Sequence, residues 1–267
     1  MTARDVSAAP QRRWSRAELG LAGLLLAIAA AAWLLTHRLA MPDMSTGVLT
    51  GATPMGGTMG SPVAAAASFL ATWTVMMAAM MLPSIVPFTI GISRLMRARH
   101  APRGGLAVLT LCYFLVWIAT GAAAYLVLRG VDMLPASMPT LARAGAGVLL
   151  AAGIYQLTPL KRVCLRHCRS PLSLVLRHGP DALRGRWGAA RVGLRHGGYC
   201  LGCCWALMAV LLAVGVMSLV WMAAVASVIA VEKLYRRGEL AARILGGALI
   251  AAGLVLLVQP AVLPAMS

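Results

Sequence analysis

Apolar residues along this chain are gathered into long blocks, with polar residues confined to the stretches between them. Seven blocks stand out, at about 17–36, 63–90, 105–128, 141–158, 199–215, 218–233 and 240–259. Most approach 20 residues, the length that crosses about 30 Å of hydrocarbon as a helix rising 1.5 Å per residue. In lipid each backbone N–H and C=O must be satisfied within the spanning element, which a helix achieves by itself. The pattern predicts an all-α fold, a polytopic transmembrane bundle of about seven spans. It forms a single domain over 17–259, between a polar tail (1–16) and a short C-terminal tail (260–267). The first block is long for a signal peptide and runs into "THRLAMPDM" with no cleavage site, so it reads as a retained anchor. Only "VGVMS", 214–218, separates the fifth and sixth blocks, which predicts an antiparallel hairpin. In that hairpin Cys200 is level with Lys233 and Leu201 with Glu232.

Composition agrees with the blocks: 60% of residues are hydrophobic and 12% charged, against about a quarter charged in soluble domains. The net charge of +17 raises the question of nucleic acid, and its distribution answers it. Arg4, Arg12, Arg13 and Arg16 precede the first block. Arg94, Arg97, Arg99 and Arg103 follow the second, and nine Lys/Arg from Lys161 to Arg195 follow the fourth. Lys233, Arg236, Arg237 and Arg243 follow the sixth. Of the 24 basic residues, only Arg38, Arg129 and Arg143 fall on the alternate connections. The positive-inside rule then places the N-terminus in the cytoplasm and the C-terminus outside. The expected partner is the lipid bilayer, with no nucleic acid, and the expected location is the inner membrane as a multi-pass protein.

This orientation puts five of the six cysteines at the cytoplasmic face, where thiols stay reduced. Thr158-Pro159 predicts the start of a short basic amphipathic helix that ends at Ser170-Pro171 and carries Cys164, His167 and Cys168 on one face. It opens a basic cytoplasmic loop, 159–198. In "HGGYCLGCCWALM", 196–208, Cys200, Cys203 and Cys204 fall within a 100° arc of helix, and Met208 continues the stripe. Gly197 and Gly198 read as the residues before that helix. This places Cys200 near its first turn, where the N-terminus, with Arg195 and Lys233, stabilises thiolate. Thiolates, with His167 and Met208, suit a soft ion, Cu(I) ahead of Zn(II). If both elements share one ion, sulfurs of the two pairs must lie about 4 Å apart. Cys112 stands alone in an apolar block and behaves as a small hydrophobe.

The second block, "WTVMMAAMMLPSIVP", pairs Met76 with Met80 and Met77 with Met81 at helical spacing, just before Pro83 and Pro87. Thioethers beside a proline-kinked helix offer soft ligands, and methionine is equally an ordinary packing residue. Met41, Met44, Met55 and Met59 in the outer Gly/Pro-rich loop raise the same choice between a copper site and a flexible connector. Glu232 is an acidic residue at the inner edge of an apolar block. Ligand, proton relay and pairing with Lys233 or Arg236 are all open to it. Gln156, Tyr155, Thr158 and Gln259 are candidate hydrogen-bonding groups between helices.

"GIYQLTPLKRVCLRHCRSP", "HGGYCLGCCWALMAVLLAVGVMSLVWM" with the following Glu-Lys, and "W..MMAAMMLP" together resemble a bacterial family of predicted metal-binding integral membrane proteins, catalogued as a domain of unknown function. The similarity spans about 69–258. It carries over Cys164, Cys168, Cys200, Cys203, Cys204, Glu232, Trp73, Met76, Met80, Met81, Trp205 and Met208. The resemblance implies metal binding and supplies neither substrate nor mechanism. No nucleotide loop, Ser-His-Asp pattern or haem-attachment motif is present in the sequence, so a non-enzymatic role is expected. The leading reading is a protein that binds copper or zinc for transport or homeostasis, with a metal chaperone or another membrane subunit as partner. A membrane thiol oxidoreductase and an accessory subunit with packing cysteines are the alternatives.

Overall fold

A computed structural model describes residues 14–39, 61–98, 104–132, 138–169, 185–214 and 218–258. The outer-loop methionines, Ser170-Pro171, Gln259 and both tails apart from 14–16 lie outside these residues. The described residues form eight α-helices and no strand: α1 (Arg16–Leu39), α2 (Pro62–Ala98), α3 (Gly105–Asp132), α4 (Met138–Leu157), α5 (Pro159–Arg169), α6 (Gly185–Val214), α7 (Leu219–Leu234) and α8 (Gly238–Val258). Five of them, α1, α2, α3, α6 and α8, are long and apolar enough to cross a membrane. α4 and α5 together make a sixth candidate, bent by 67°. α7 has 16 residues, about 24 Å of helix, and is the shortest of the seven expected blocks.

The central helix is α2, 37 residues long with Pro83 and Pro87 inside it. Proline has no N–H, so Pro83 leaves the Ala79 carbonyl without its helical donor. The indole of Trp33 on α1 donates to that carbonyl at 3.1 Å. At the other end of α1, Glu18 accepts from Arg94 at 2.7 Å and Arg97 at 2.8 Å, which fixes its first turn to the last turns of α2. Trp73 crosses to α3 by donating to the Trp117 carbonyl at 2.9 Å.

Small residues set the other helix pairings, as expected where dispersion rather than water drives association. α4 packs on α8 through Gly153 and Gly246: a Cβ at 153 would lie 2.7 Å from the Gly246 carbonyl oxygen. α6 packs on α3 through Gly193 and Gly197, one turn apart. A Cβ would meet the Leu109 carbonyl at 2.3 Å in the first case and Val116 at 2.8 Å in the second.

The same contact corrects one expectation. Gly197 and Gly198 do not precede the cysteine helix. α6 begins at Gly185 and runs through both, so Cys200 lies mid-helix and receives no help from a helix N-terminus. Much of 159–198 is therefore helix. The glycine at 197 marks close approach to a neighbouring backbone, which in sequence looks the same as a helix boundary.

Candidate metal centre

Thr158 ends α4 and starts α5. Its hydroxyl accepts from the Lys161 N–H at 3.3 Å, and Pro159 occupies the first helical position, as expected. The resulting bend turns α5 back onto α6. Its buried side chains are Lys161, Cys164, Leu165 and Cys168, one stripe at helical spacing. Cys164 Sγ lies over Gly202, where a Cβ would be only 2.7 Å away, so the missing side chain at 202 lets α5 dock.

Docking brings Cys168 to the α6 cysteines. The sulfurs of Cys168, Cys200 and Cys203 all lie within 4.8 Å of one another, and all three residues are buried. All six cysteines of the chain are free thiols. Sulfurs bound to one tetrahedral ion stand about 3.7–4 Å apart, given metal–sulfur bonds near 2.3 Å, and a linear pair stands slightly farther apart. The three sulfurs are therefore close enough to fit one soft ion with little movement, and the two cysteine elements meet as a shared site requires.

The other expected ligands separate into groups. Cys204 is buried beside the trio, and its thiol donates to the Cys200 carbonyl at 2.8 Å, as Cys203 does at 3.1 Å. Cys164 remains over Gly202, outside the trio. His167 turns away: its Nδ1 lies 2.7 Å from the Val163 carbonyl and its ring stacks on Tyr199 at 4.6 Å between centroids. Met76, Met80 and Met208 are buried in the same hydrophobic core as the cysteines.

Glu232 pairs with neither Lys233 nor Arg236. Its carboxylate accepts from Lys161 at 2.6 Å and from Gln156 at 2.8 Å, with both members of the ion pair almost fully buried. The Lys161 ammonium also donates to the Cys203 carbonyl, which couples the pair to the cysteine helix. Tyr155 donates to the Gly202 carbonyl. Of the sequence-level hydrogen-bonding candidates on described residues, Gln156 and Tyr155 thus bridge helices and Thr158 caps one.

The depth relation in the hairpin holds. Lys233 on α7 donates to Cys200 Sγ at 3.0 Å. It also reaches Ser84 Oγ at 3.2 Å and Met81 Sδ at 3.8 Å, both on α2. Tyr113 of α3 completes the surround, its hydroxyl 3.2 Å from Cys200 Sγ. The nearest methionine shown to reach this arrangement is Met81, one of the residues carried over by the family resemblance. Ser84, Tyr113 and Lys161 were missed, and nothing in their spacing marks them.

His196, in the opening position of the cysteine motif, was missed too. It lies one turn before Cys200, is buried against Phe88 with ring centroids 3.4 Å apart, and neither ring nitrogen has a hydrogen-bond partner. Its i, i+4 relation to Cys200 was the available signal.

No curated protein and no solved structure matches the chain. The sequence model of one family, PpoB2, described as copper chaperone, matches residues 70–256. That span holds every residue of the site just described. A buried trio of soft sulfur donors inside a match that covers most of the chain agrees with a copper-related role, and the chain belongs to the PpoB2 copper chaperone family.

Proposed function

We propose that this protein is a multi-pass inner-membrane carrier that captures copper as Cu(I) on Cys168, Cys200 and Cys203 and passes it on. The observation that carries this reading is the convergence of three buried thiols from two separate helices within 4.8 Å. Thiolate is the preferred donor for Cu(I), and thioether follows it. Met81 lies next to the cluster across Lys233, and Met76, Met80 and Met208 continue the soft lining of the same core. The copper ion is cargo in this account, and the protein performs no catalysis. A metal chaperone on the cytoplasmic side, or a second membrane subunit, supplies or receives the ion.

The test is copper content of the purified full-length protein, with copper tolerance of a deletion strain complemented by each variant. Wild type is expected to hold copper and the triple Cys→Ser variant none. Met81→Leu and Met208→Leu are nearly volume-conserving and should cost less than about 1.5 kcal/mol in packing. They are expected to retain bound copper yet fail to restore tolerance. Full tolerance in both would remove the methionines from the path, and copper retained by the triple variant would remove the site.

We propose seven spans, with the N-terminus inside, from the distribution of basic residues. Alkaline phosphatase joined after Arg38 should be active and after Arg177 inactive; the reverse pattern would overturn this orientation.

A further inference from the structure

Among the described residues, Lys233 is a buried cation with no carboxylate partner. Among the described residues the ion pairs are Glu18 with Arg94 and Arg97, Glu232 with Lys161, and Glu239 with Arg166. The Glu232 carboxylate, one residue away in the chain, is taken up by Lys161 and Gln156. The Lys233 ammonium instead meets Cys200 Sγ at 3.0 Å, Ser84 Oγ at 3.2 Å and Met81 Sδ at 3.8 Å. An ammonium has three N–H donors and no acceptor, and here each donor has one acceptor. An isolated charge in an apolar interior is costly unless something of opposite sign compensates it. Of the three groups the ammonium touches, the one that readily becomes negative is the Cys200 sulfur, and cysteine binds metal as thiolate.

We infer that Lys233 is a specificity-determining residue, a fixed positive charge that biases the thiolate site toward a monovalent soft cation over a divalent one. This inference rests on the metal-site reading above. Two thiolates on a monovalent ion leave one negative charge, which the ammonium cancels. On a divalent ion they leave none, and the ammonium makes the site a net cation. With three thiolates, a monovalent ion leaves two negative charges and a divalent ion one, and the ammonium reduces each by one. The Born cost of burying charge grows as its square. Removing the ammonium therefore takes the three-thiolate monovalent complex from one buried charge to two, and the divalent complex only from none to one. For two thiolates the same removal charges the monovalent complex and neutralises the divalent one. Under either stoichiometry the loss of Lys233 penalises the monovalent ion more.

The experiment uses the detergent-solubilised full-length protein, with Ag(I) as the air-stable monovalent probe and Zn(II) as the divalent one. Each ion is titrated against a competing chelator for wild type, Lys233→Met, Lys233→Gln and Lys233→Arg. Met preserves length and Gln preserves polarity, so one neutral variant remains if the other fails to fold. Monodisperse elution and the unfolding midpoint report integrity. The expected result is a fall in the Ag(I)-to-Zn(II) affinity ratio of about tenfold or more in both neutral variants, within the range typical of groups that support metal ligands. The ratio should be retained in Lys233→Arg. General loosening of the site would weaken both ions and leave their ratio unchanged. An unchanged or rising ratio in the neutral variants, or a fall in Lys233→Arg equal to theirs, overturns the role of Lys233 and leaves the cysteine site standing. If wild type binds neither probe in a cysteine-dependent way, the site itself is wrong and this inference falls with it.

Discussion

Cys200→Ser is expected to lower Cu(I) affinity by more than the roughly 10–100-fold usual for groups that merely support ligands. Cys200 is the hub of the cluster. Its sulfur belongs to the trio with Cys168 and Cys203, takes the Lys233 ammonium at 3.0 Å and lies 3.2 Å from the Tyr113 hydroxyl. Its carbonyl accepts the thiols of Cys203 and Cys204. Serine preserves the size and the hydrogen bonds to Lys233 and Tyr113, so the fold should persist. It replaces a soft donor with a hard one, which Cu(I) binds poorly. Cys168→Ser should behave alike, because it removes the only sulfur of the trio that α5 supplies. Cys112→Ser should bind as wild type, since Cys112 lies outside the trio. Competition with a Cu(I) chelator measures all three. Wild-type affinity in Cys200→Ser, or a large loss in Cys112→Ser, would dismantle the site as drawn.

The second large effect concerns stability. Lys161→Met should destabilise the protein by about 3–5 kcal/mol, the usual cost of removing one partner from a buried ion pair. Among the described residues, Glu232 would then remain buried with Gln156 as its only donor. The double variant Lys161→Met, Glu232→Met should recover most of that loss, because both charges leave together; buried pairs replaced by apolar residues are often neutral or more stable. Unfolding in a denaturing detergent titration gives both values and their coupling. A loss in the single variant no greater than that of an ordinary surface substitution, about 0.5 kcal/mol, would show that the pair does not hold α5 in place.

Helical class, approximate block positions and the hairpin register were legible because they depend on length and period alone. The level pairing of Cys200 with Lys233 follows from counting residues about a turn, and the two groups touch. The approach of Cys168 to the α6 cysteines could be stated as a requirement of a shared ion, but which cysteines would meet depended on how α5 docks. That is decided at Gly202, whose role is invisible without the partner helix. Lys161 looked like one more basic residue on an amphipathic helix. It is buried because Glu232, 71 residues later, waits on another helix, and no local period encodes such a partner. His167 misled because its spacing from Cys164 and Cys168 is right for a ligand. Its ring leaves along the helix surface to stack on Tyr199.

The close packing of α6 on α3 has a consequence for protein engineering. The three-cysteine motif is not a portable cassette. Grafted into another apolar helix, "CLGCC" would retain its thiols and their angular spread, and would lack what tunes them. The hydroxyl on Cys200 comes from α3, held close by Gly193 and Gly197. The ammonium comes from α7 and the third sulfur from α5, which docks only where residue 202 has no side chain. A successful transplant would have to carry the two packing glycines, Gly202 and three foreign helix faces along with the sulfurs.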